Sequence, residues 1–311
     1  MSDRPSPESP LTMRELRQNY ADGRNIMDIL RASEGRDDNS SRAVRLSYDL
    51  QAGSYIRMNN APGAKEHLAV RVQAVVGCLR DLAFDSIVEA GCGEATTLVE
   101  VVRALPKPPR TVRAFDLSWS RASQAVAHAA RSGLVADVFM ADMEHIPLPD
   151  NACDLVFTSH AIEPNRGRES PILAELHRVA ARYVALFEPC YELASPEQRA
   201  RMDRHRYCRD LPGHARALGF AVMRHEVLEP LRDRGMTTLL LLEKEPLPRP
   251  AARYACPHCR TVLVSHLGHW FCPECCLVFP VLAGVPCLDP TSGILASHYL
   301  DAPVGQIPFA R

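Results

Sequence analysis

Short apolar runs alternate with helical stretches through the middle of this 311-residue chain. The strand-like runs lie at 86–90, 111–117, 135–142, 153–160 and 182–189, and the helical stretches lie near 95–105, 120–132 and 170–180. Strands that alternate with helices form a parallel sheet with helices on both faces. Two later strands, 220–228 and 237–245, are joined by only eight residues, too few for a crossover helix, so they should pair antiparallel. The alternation predicts an α/β fold with a seven-stranded sheet.

The residues before the first strand have a helical pattern. From Leu11 to Ile56 this pattern is broken by the polar residues 31–42, which should join two short helices of an N-terminal cap. The first ten residues lack periodicity, and we expect a disordered end there. A further helix is predicted from apolar residues that share one helical face: Leu68, Val72, Val75, Val76 and Leu79.

The near-neutral charge of the chain argues against nucleic acid and anionic membranes as partners. Thirty-six Lys and Arg against 37 Asp and Glu give a net charge of −1, so no global positive field attracts nucleic acid or an anionic membrane. No apolar run is long enough to span a membrane, and the first 30 residues lack the apolar segment of a signal peptide. We therefore expect a cytoplasmic protein with reduced cysteines, bound to no membrane.

A glycine turn follows the first strand of the predicted sheet. The segment SIVEAGCGEATT carries Glu89, Gly91 and Gly93, and a helix opens directly after it. Glycines allow a ligand to approach the backbone closely, and the free N–H groups of a helix start favour polar or anionic groups. A P-loop would need Gly-Lys-Ser/Thr, and a dinucleotide fingerprint would need a third glycine where Thr96 stands. An ordinary tight turn without a ligand remains the alternative.

Acidic residues end the next two strands. Asp116 could accept both hydroxyls of a ribose, and Asp142 could accept an adenine amino proton. Each carboxylate could instead be a solvated turn residue or a helix cap. Together with Glu89 they occupy the carboxyl ends of three strands, the edge at which open α/β sheets bind ligands.

These motifs resemble those of the class I S-adenosylmethionine-dependent methyltransferases over about residues 64–245. V-E-A-G-C-G-E-A resembles their first motif, D-L-S at 116–118 the acidic second, and residues 141–157 the stretch from the adenine site into the fourth strand. Ala95 replaces the third glycine of the family. The resemblance implies a Rossmann-like methyltransferase sheet and S-adenosylmethionine as cofactor. It places Gly91 and Gly93 at the methionine part, Asp116 at the ribose, and Asp142 with Met143 at the adenine.

The N-terminal stretch SYDLQAGSYI, 47–56, carries two tyrosines in a mostly polar context. In similar small-molecule methyltransferases a tyrosine-bearing N-terminal helix covers the cofactor and contacts its carboxylate, which makes Tyr48 and Tyr55 candidates for that role. Alternatively, both rings only pack the cap onto the sheet. The predicted cofactor-binding residues are Tyr48, Gln51, Tyr55, Glu89, Gly91, Gly93, Asp116, Leu117, Asp142, Met143 and Ser159.

The loop after the fourth strand, T-S-H-A-I-E-P-N, should face the transferred methyl group. His160 is the candidate general base for a hydroxyl or ammonium acceptor, and Glu163 or Asn165 could orient it or bind the acceptor. A structural histidine is the alternative. The loop lacks the Asn/Asp-Pro-Pro-aromatic motif of base-amine methyltransferases and the nucleophilic cysteine of pyrimidine C5 methyltransferases. Cys190, at the end of the fifth strand, could be a nucleophile, although it fits better as a small packing residue. The arginine-rich region 196–218 is either a solvated helix face or a contact for a phosphate- or carboxylate-bearing acceptor.

Two C-x2-C knuckles, twelve residues apart, follow a proline-rich linker at 246–254. Cys256, Cys259, Cys272 and Cys275 could hold one structural Zn²⁺. One alternative is a pair of disulfides. Another is that Cys276, His258 or His266 replaces one of the four ligands. Residues 277–290 resemble part of the small zinc-binding partner proteins of tRNA and translation-factor methyltransferases. We expect residues 255–290 to form a zinc ribbon, which could bind a protein partner or self-associate, and 291–311 to form a tail.

These inferences divide the chain into a tail and helical cap at 1–63, a methyltransferase domain at 64–245, and the linker and ribbon. We predict an enzyme that transfers a methyl group to an oxygen or nitrogen of a small-molecule or glycan-type acceptor. One alternative is an RNA methyltransferase that recognises its substrate through the ribbon, although the near-neutral charge and the absent base-amine motif argue against nucleic acid. The other is a non-catalytic protein that senses the cofactor.

Overall fold

A computed structural model describes residues 11–59, 63–233 and 235–301. Its main sheet has seven strands in the order β3-β2-β1-β4-β5-β7-β6. The strands are β1 (Ser86–Ala90), β2 (Thr111–Asp116), β3 (Asp137–Met140), β4 (Cys153–Ser159), β5 (Ala180–Pro189), β6 (Val222–Val227) and β7 (Thr237–Glu243). Strands β1 to β5 pair in parallel, and β7 pairs antiparallel with both β5 and β6. The predicted α/β fold class is confirmed. The predicted disordered end at 1–10 lies outside the described residues.

Four short helices precede the sheet, where the sequence predicted two. They are α1 (Met13–Ala21), α2 (Ile26–Glu34), α3 (Ser41–Leu50) and α4 (Ser54–Asn59). Each of the first three begins at a side-chain cap, because Thr12, Asn25 and Ser40 accept hydrogen bonds from the first turn. The polar break is also shorter than predicted, since α2 continues to Glu34 and ends at a left-handed glycine.

The other helices cover the two faces of the sheet. They are α5 (Ala64–Leu79), α6 (Thr96–Ala104), α7 (Trp119–Arg131), α8 (Glu169–Val179), α9 (Pro196–His205) and α10 (Leu211–Ala217). Side chains alternate across each strand, so Ile87 packs with α5, α6 and α7 while Val88 packs with α8 and α10. No helix of the described ranges is long and apolar enough to cross a membrane.

The cysteine-rich segment forms short strands that pack against the edge of the main sheet. Strands β8 (Val264–His266), β9 (His269–Cys272), β10 (Leu277–Phe279) and β13 (Ile294–Leu295) make one small sheet, and β11 (Val281–Leu282) pairs with β12 (Val285–Pro286). Tyr254 is fully buried, with its ring edge-on to Phe139 of β3 and to Trp270 of β9. The small sheet therefore shares its apolar core with the larger one.

Candidate active site

A cavity of about 570 Å³ opens at the carboxyl ends of β1 to β4 and is covered by α3 and α4. Parallel strands bring residues that are distant in sequence to this one edge. Twelve of the thirteen other predicted cofactor and acceptor residues line the cavity together with His160. They are Tyr48, Tyr55, Glu89, Gly91, Gly93, Asp116, Leu117, Asp142, Met143, Ser159, Glu163 and Asn165. Gln51 stands behind this lining, where its side-chain oxygen accepts a hydrogen bond from Arg121 at 3.4 Å.

The glycine turn is shaped by left-handed backbone at three positions. Gly91 and Gly93 have φ of 71° and 56°, and Ala95, which replaces a family glycine, adopts φ of 57°. A Cβ atom at Gly91 would lie 2.5 Å from the side chains of Ala161 and Met143, so no larger residue fits there without displacing them. The turn therefore keeps a narrow opening beside the start of α6.

The Asp116 side chain is held by hydrogen bonds from two loops, the glycine turn and the loop after β2. Its carboxylate oxygens accept hydrogen bonds from the backbone N–H groups of Gly93 and Ser118, each at 2.9 Å. Burial raises the pKa of Asp116, while the Arg121 guanidinium and these hydrogen bonds oppose the rise. Each carboxylate oxygen can accept a second hydrogen bond, so ribose hydroxyls would still find acceptors at Asp116.

Glu89 has a buried carboxyl group, and one of its oxygens is available to accept a hydrogen bond. Its Oε2 atom has no hydrogen-bond partner within the described residues, and the side chain lines the cavity. Burial and the nearby Asp116 charge raise the pKa of Glu89 well above its usual value. A buried acceptor without a donor is costly unless a ligand satisfies it. The orphaned oxygen therefore fits an amino group such as that of S-adenosylmethionine.

Arg121, on the first turn of α7, was missed by the sequence analysis. The guanidinium lies 4.3 Å from the ring centroid of Tyr48 and 4.6 Å from that of Tyr55. Its Nε donates to the backbone oxygen of Tyr48 at 3.1 Å, and only 3% of Arg121 is exposed. From the sequence alone, an arginine in the first turn of a helix is expected to be exposed to solvent. Its position three residues after Ser118 of the acidic motif is the one feature of the sequence that could have indicated Arg121.

The helical cap is tied to both cofactor loops. Glu94 of the glycine turn accepts hydrogen bonds from the backbone N–H groups of Tyr55 and Ile56 at 3.3 and 2.7 Å, which anchors the first turn of α4. Asp49 of α3 accepts from the Ser118 hydroxyl at 2.8 Å and from the Ser120 backbone at 3.2 Å. The two tyrosines thus line the cavity and also pack the cap against Arg121.

His160 adopts a left-handed backbone, φ 56°, at the end of β4. Its Nδ1 lies 3.1 Å from Glu163 Oε2, and its Nε2 lies 2.9 Å from the hydroxyl oxygen of Thr237 on β7. Non-glycine residues rarely adopt this backbone, and such strain concentrates at functional sites. Both ring nitrogens are therefore held within the protein, and Thr237 was not anticipated because it lies 77 residues away in the sequence.

Glu188, at the end of β5, supports the loop that carries His160. Its Oε1 accepts hydrogen bonds from the backbone N–H groups of Ala161 and Ile162 at 2.9 and 3.2 Å. Asn165 donates to the backbone oxygens of the same two residues, at 3.1 and 3.2 Å. The loop is fixed by buried polar contacts and not by apolar packing alone.

The arginines of 196–218 do not all share one role. Arg199 donates to the backbone oxygens of Tyr191 and Glu192, and Arg209 pairs with Asp203. Arg201 instead lines the cavity beside Tyr207, its guanidinium 5.9 Å from that ring, and it forms no ion pair with another residue in the described ranges. The positive charge of Arg201 is therefore available at the cavity.

The four knuckle cysteines converge as predicted from their spacing. The sulfurs of Cys256, Cys259, Cys272 and Cys275 lie within 4.8 Å of one another. The Sγ···Sγ distances of 4.0 Å for Cys256–Cys275 and 3.5 Å for Cys259–Cys272 are close to the tetrahedral edge of about 3.8 Å that Zn–S bonds of about 2.3 Å require.

The structure shows neither of the alternatives to the four-cysteine site, which were disulfides and substitute zinc ligands. All eleven cysteines are free thiols, and Cys276, His258 and His266 lie outside the four-sulfur group. The Cys275 backbone N–H donates to Cys272 Sγ at 3.3 Å, a contact that favours a thiolate. The donor set thus fits a closed tetrahedral zinc site without an open coordination position.

Comparisons with known proteins agree with this geometry. Residues 87–182 match a family model described as a methyltransferase domain, and no curated protein matches the chain. The fold is similar to that of the [4+2]-cyclase SpnF (18% identity, 68% of this chain and 98% of that chain, TM-score 0.53). It is also similar to magnesium protoporphyrin IX methyltransferase from Synechocystis PCC 6803 with bound SAH (16% identity, 66% and 99%, TM-score 0.52).

A third similar structure is the complex between the Haloferax volcanii Trm112 methyltransferase activator and a putative methyltransferase (16% identity, 64% and 98%, TM-score 0.50). The family match over residues 87–182 and the seven-stranded sheet together support an S-adenosylmethionine-dependent methyltransferase with the class I fold.

Proposed function

We propose that this S-adenosylmethionine-dependent methyltransferase transfers a methyl group to an oxygen or nitrogen of a small-molecule or glycan-type acceptor. One observation carries the proposal: the glycine turn, the carboxyls of Glu89, Asp116 and Asp142, and the His160–Glu163 pair all line one cavity. In this arrangement the donor and the acceptor would meet between β1 and β4.

The donor side of the cavity has a group for each part of the cofactor. We assign Glu89 to the amino group, the glycine turn to the methionine backbone, Asp116 to the ribose hydroxyls, and Asp142 with Met143 to the adenine. Tyr48 and Tyr55, held by Arg121, would cover the bound molecule and exclude water. Leu117, Ser159 and Gln51 complete the proposed set.

His160 is the proposed general base. When bound, S-adenosylmethionine would supply an electrophilic methyl group. In the tautomer that we propose, Nδ1–H donates to the Glu163 carboxylate, and the lone pair on Nε2 accepts from the Thr237 hydroxyl. An acceptor hydroxyl or ammonium could reach Nε2 by displacing the Thr237 hydroxyl, or deliver its proton through that hydroxyl. A purely structural His160 remains the competing proposal, because both of its nitrogens are already engaged.

Arg201 supports an acceptor that carries a negative group. Its guanidinium lies at the rim of the cavity next to Tyr207 and is not neutralised by a carboxylate of the described residues. Guanidinium groups bind carboxylates and phosphates through paired hydrogen bonds. We therefore favour an acceptor with an anionic substituent, bound with that substituent towards Arg201 and its nucleophile towards His160.

The ribbon is proposed to hold one structural Zn²⁺ through Cys256, Cys259, Cys272 and Cys275. Eleven free thiols suit a reducing compartment, so we propose a cytoplasmic location. We further propose that the ribbon serves the methyltransferase domain of the same chain, as the resemblance of residues 277–290 to zinc-binding partner proteins suggests.

Two other functions are tested by the same experiments. One is a non-catalytic protein that senses the cofactor, and the other is an RNA methyltransferase that recognises its substrate through the ribbon. The net charge of −1 favours a small acceptor over RNA.

Calorimetry with S-adenosylmethionine tests the cofactor assignment. Asp116→Ala should weaken binding by about 1–3 kcal/mol, because the ribose hydroxyls lose their acceptor. Asp150→Ala, whose side chain is 64% exposed and pairs with Arg178, is the matched control and should bind normally. Unchanged affinity in Asp116→Ala would reject the ribose assignment, and absence of binding by the wild-type protein would reject the function.

A further inference from the structure

The cysteine-rich ribbon, residues 255–290, contacts a helix that covers the cavity. Arg45 of α3 pairs with Asp289, and its second terminal nitrogen donates to the Thr291 hydroxyl at 3.0 Å. The Asp289 side chain is only 1% exposed. A buried carboxylate with one cationic partner depends strongly on that partner, because an unpaired buried charge is costly.

The same part of the ribbon also reaches the strand that leads to the adenine side of the cavity. Cys287 pairs in parallel with Met140 at the end of β3, and the Leu288 backbone N–H donates to the Met140 oxygen at 2.9 Å. Asp142 follows two residues later, close enough that the Asp289 charge contributes to raising its pKa. The ribbon therefore adjoins two walls of the cavity.

Helix α3 is held at several points along its length. Arg168 donates to the Ser41 hydroxyl at its start, Arg45 contacts the ribbon, and Asp49 contacts the loop before α7. Val44 and Tyr48, one turn apart, line the cavity. The position of these two side chains thus depends on anchors that include Asp289.

The metal knuckles are connected to Asp289 by a short path. His258 lies between Cys256 and Cys259, and its Nε2 donates to the backbone oxygen of Pro290 at 3.0 Å. Pro290 follows Asp289 directly, so the conformation of the first knuckle bears on the carboxylate that holds Arg45.

We propose that the zinc ribbon is part of the cofactor site: through Asp289 and Arg45 it holds α3 over the cavity, so that zinc occupancy and cofactor binding favour each other. This inference rests on the proposed function. Binding free energies are reciprocal, so whatever zinc adds to cofactor affinity the cofactor must add to zinc affinity. A ribbon that only stabilised its own fold would give no such coupling.

The test uses S-adenosylhomocysteine as probe and calorimetry on the full chain. Arg45→Ala should weaken binding at least about fivefold, the lower end of typical coupling between sites, and removal of zinc from the wild-type protein should weaken it similarly. The matched control is Arg253→Ala. Arg253 pairs with Asp137 at the opposite, amino end of β3, so its loss should leave affinity within about twofold.

The reciprocal measurement is zinc affinity in competition with a chromogenic chelator. Saturating S-adenosylhomocysteine should tighten zinc binding by the same factor in the wild type and have a reduced effect in Arg45→Ala. If Arg45→Ala fails to fold, Asp289→Asn is measured in the same way. The inference is overturned if the wild type and Arg45→Ala bind S-adenosylhomocysteine equally well. It is also overturned if S-adenosylhomocysteine does not change the zinc affinity of the wild type. A wild-type protein that binds no probe overturns the proposed function itself.

Discussion

Glu89 combines a structural cost with its proposed role. Burial raises its pKa above the ordinary 4.5, so the folded chain holds this proton more tightly than the unfolded chain. The free energy of unfolding contributed by this group therefore falls as pH rises above about 4.5. The same orphaned oxygen that suits an amino group weakens the empty protein at neutral pH.

Glu89→Gln should consequently stabilise the ligand-free protein at neutral pH by about 1–3 kcal/mol and weaken S-adenosylmethionine binding. Thermal melts at pH 5 and pH 8 measure the first effect, which should grow with pH, and calorimetry measures the second. Equal melting temperatures for both proteins at pH 8 would contradict the assigned cost. Glu66→Gln, at an exposed site on α5, is the control for the substitution itself.

His160→Ala should bind S-adenosylmethionine almost normally yet lose about 10²–10⁴-fold in turnover, the usual range for a general base. Thr237→Val keeps the side-chain shape but removes the hydroxyl at Nε2. A small loss in that variant would indicate direct proton transfer to Nε2, and a loss equal to that of His160→Ala would indicate transfer through the hydroxyl. A wild-type rate in His160→Ala would remove the residue from the mechanism.

At the scale of secondary structure, one carboxylate caps helix α4. Glu94 accepts from two N–H groups in the first turn of α4, where a negative charge stabilises the helix start. Glu94→Ala should destabilise α4 by about 0.5–2 kcal/mol, as loss of a helix cap does. Hydrogen exchange over 54–59 should accelerate and S-adenosylmethionine affinity should fall. Unchanged exchange in that segment would show that α4 is held by other contacts.

Helices and strands could be predicted from the sequence where the local pattern of apolar residues matches the burial seen in the structure. The strands β1, β2, β4 and β5 are apolar runs ended by polar residues, so Glu89, Asp116 and His160 could be placed at one edge from the sequence. Arg121 and Thr237 could not, because their roles depend on contacts with residues about 70 positions away. The cap helices were undercounted because their boundaries depend on single capping side chains.

At the scale of the whole molecule, the metal should affect more than the ribbon. Tyr254 and Leu288 belong to the same apolar cluster as Val88 and Leu173 of the main sheet and α8. We expect about one zinc per chain by metal analysis, and we expect Cys256→Ser to lose zinc and melt at a lower temperature. Cys276→Ser, next to the four-sulfur group but outside it, should keep both. Full zinc in Cys256→Ser would show that the ligand set is wrong.

Strand β3 ends the main sheet on one side, and the ribbon pairs with it only at Met140. An open edge strand offers unpaired N–H and C=O groups to other chains, which is a common route to aggregation. The Cys287 bridge and the Leu288 hydrogen bond to the Met140 oxygen cover the carboxyl end of that edge, and Tyr254 packs on the ring of Phe139 beside it. The ribbon therefore shields this end of the sheet against edge-to-edge association. Light scattering by zinc-depleted protein should rise more steeply than its concentration, while scattering by the zinc-loaded protein should stay proportional to concentration.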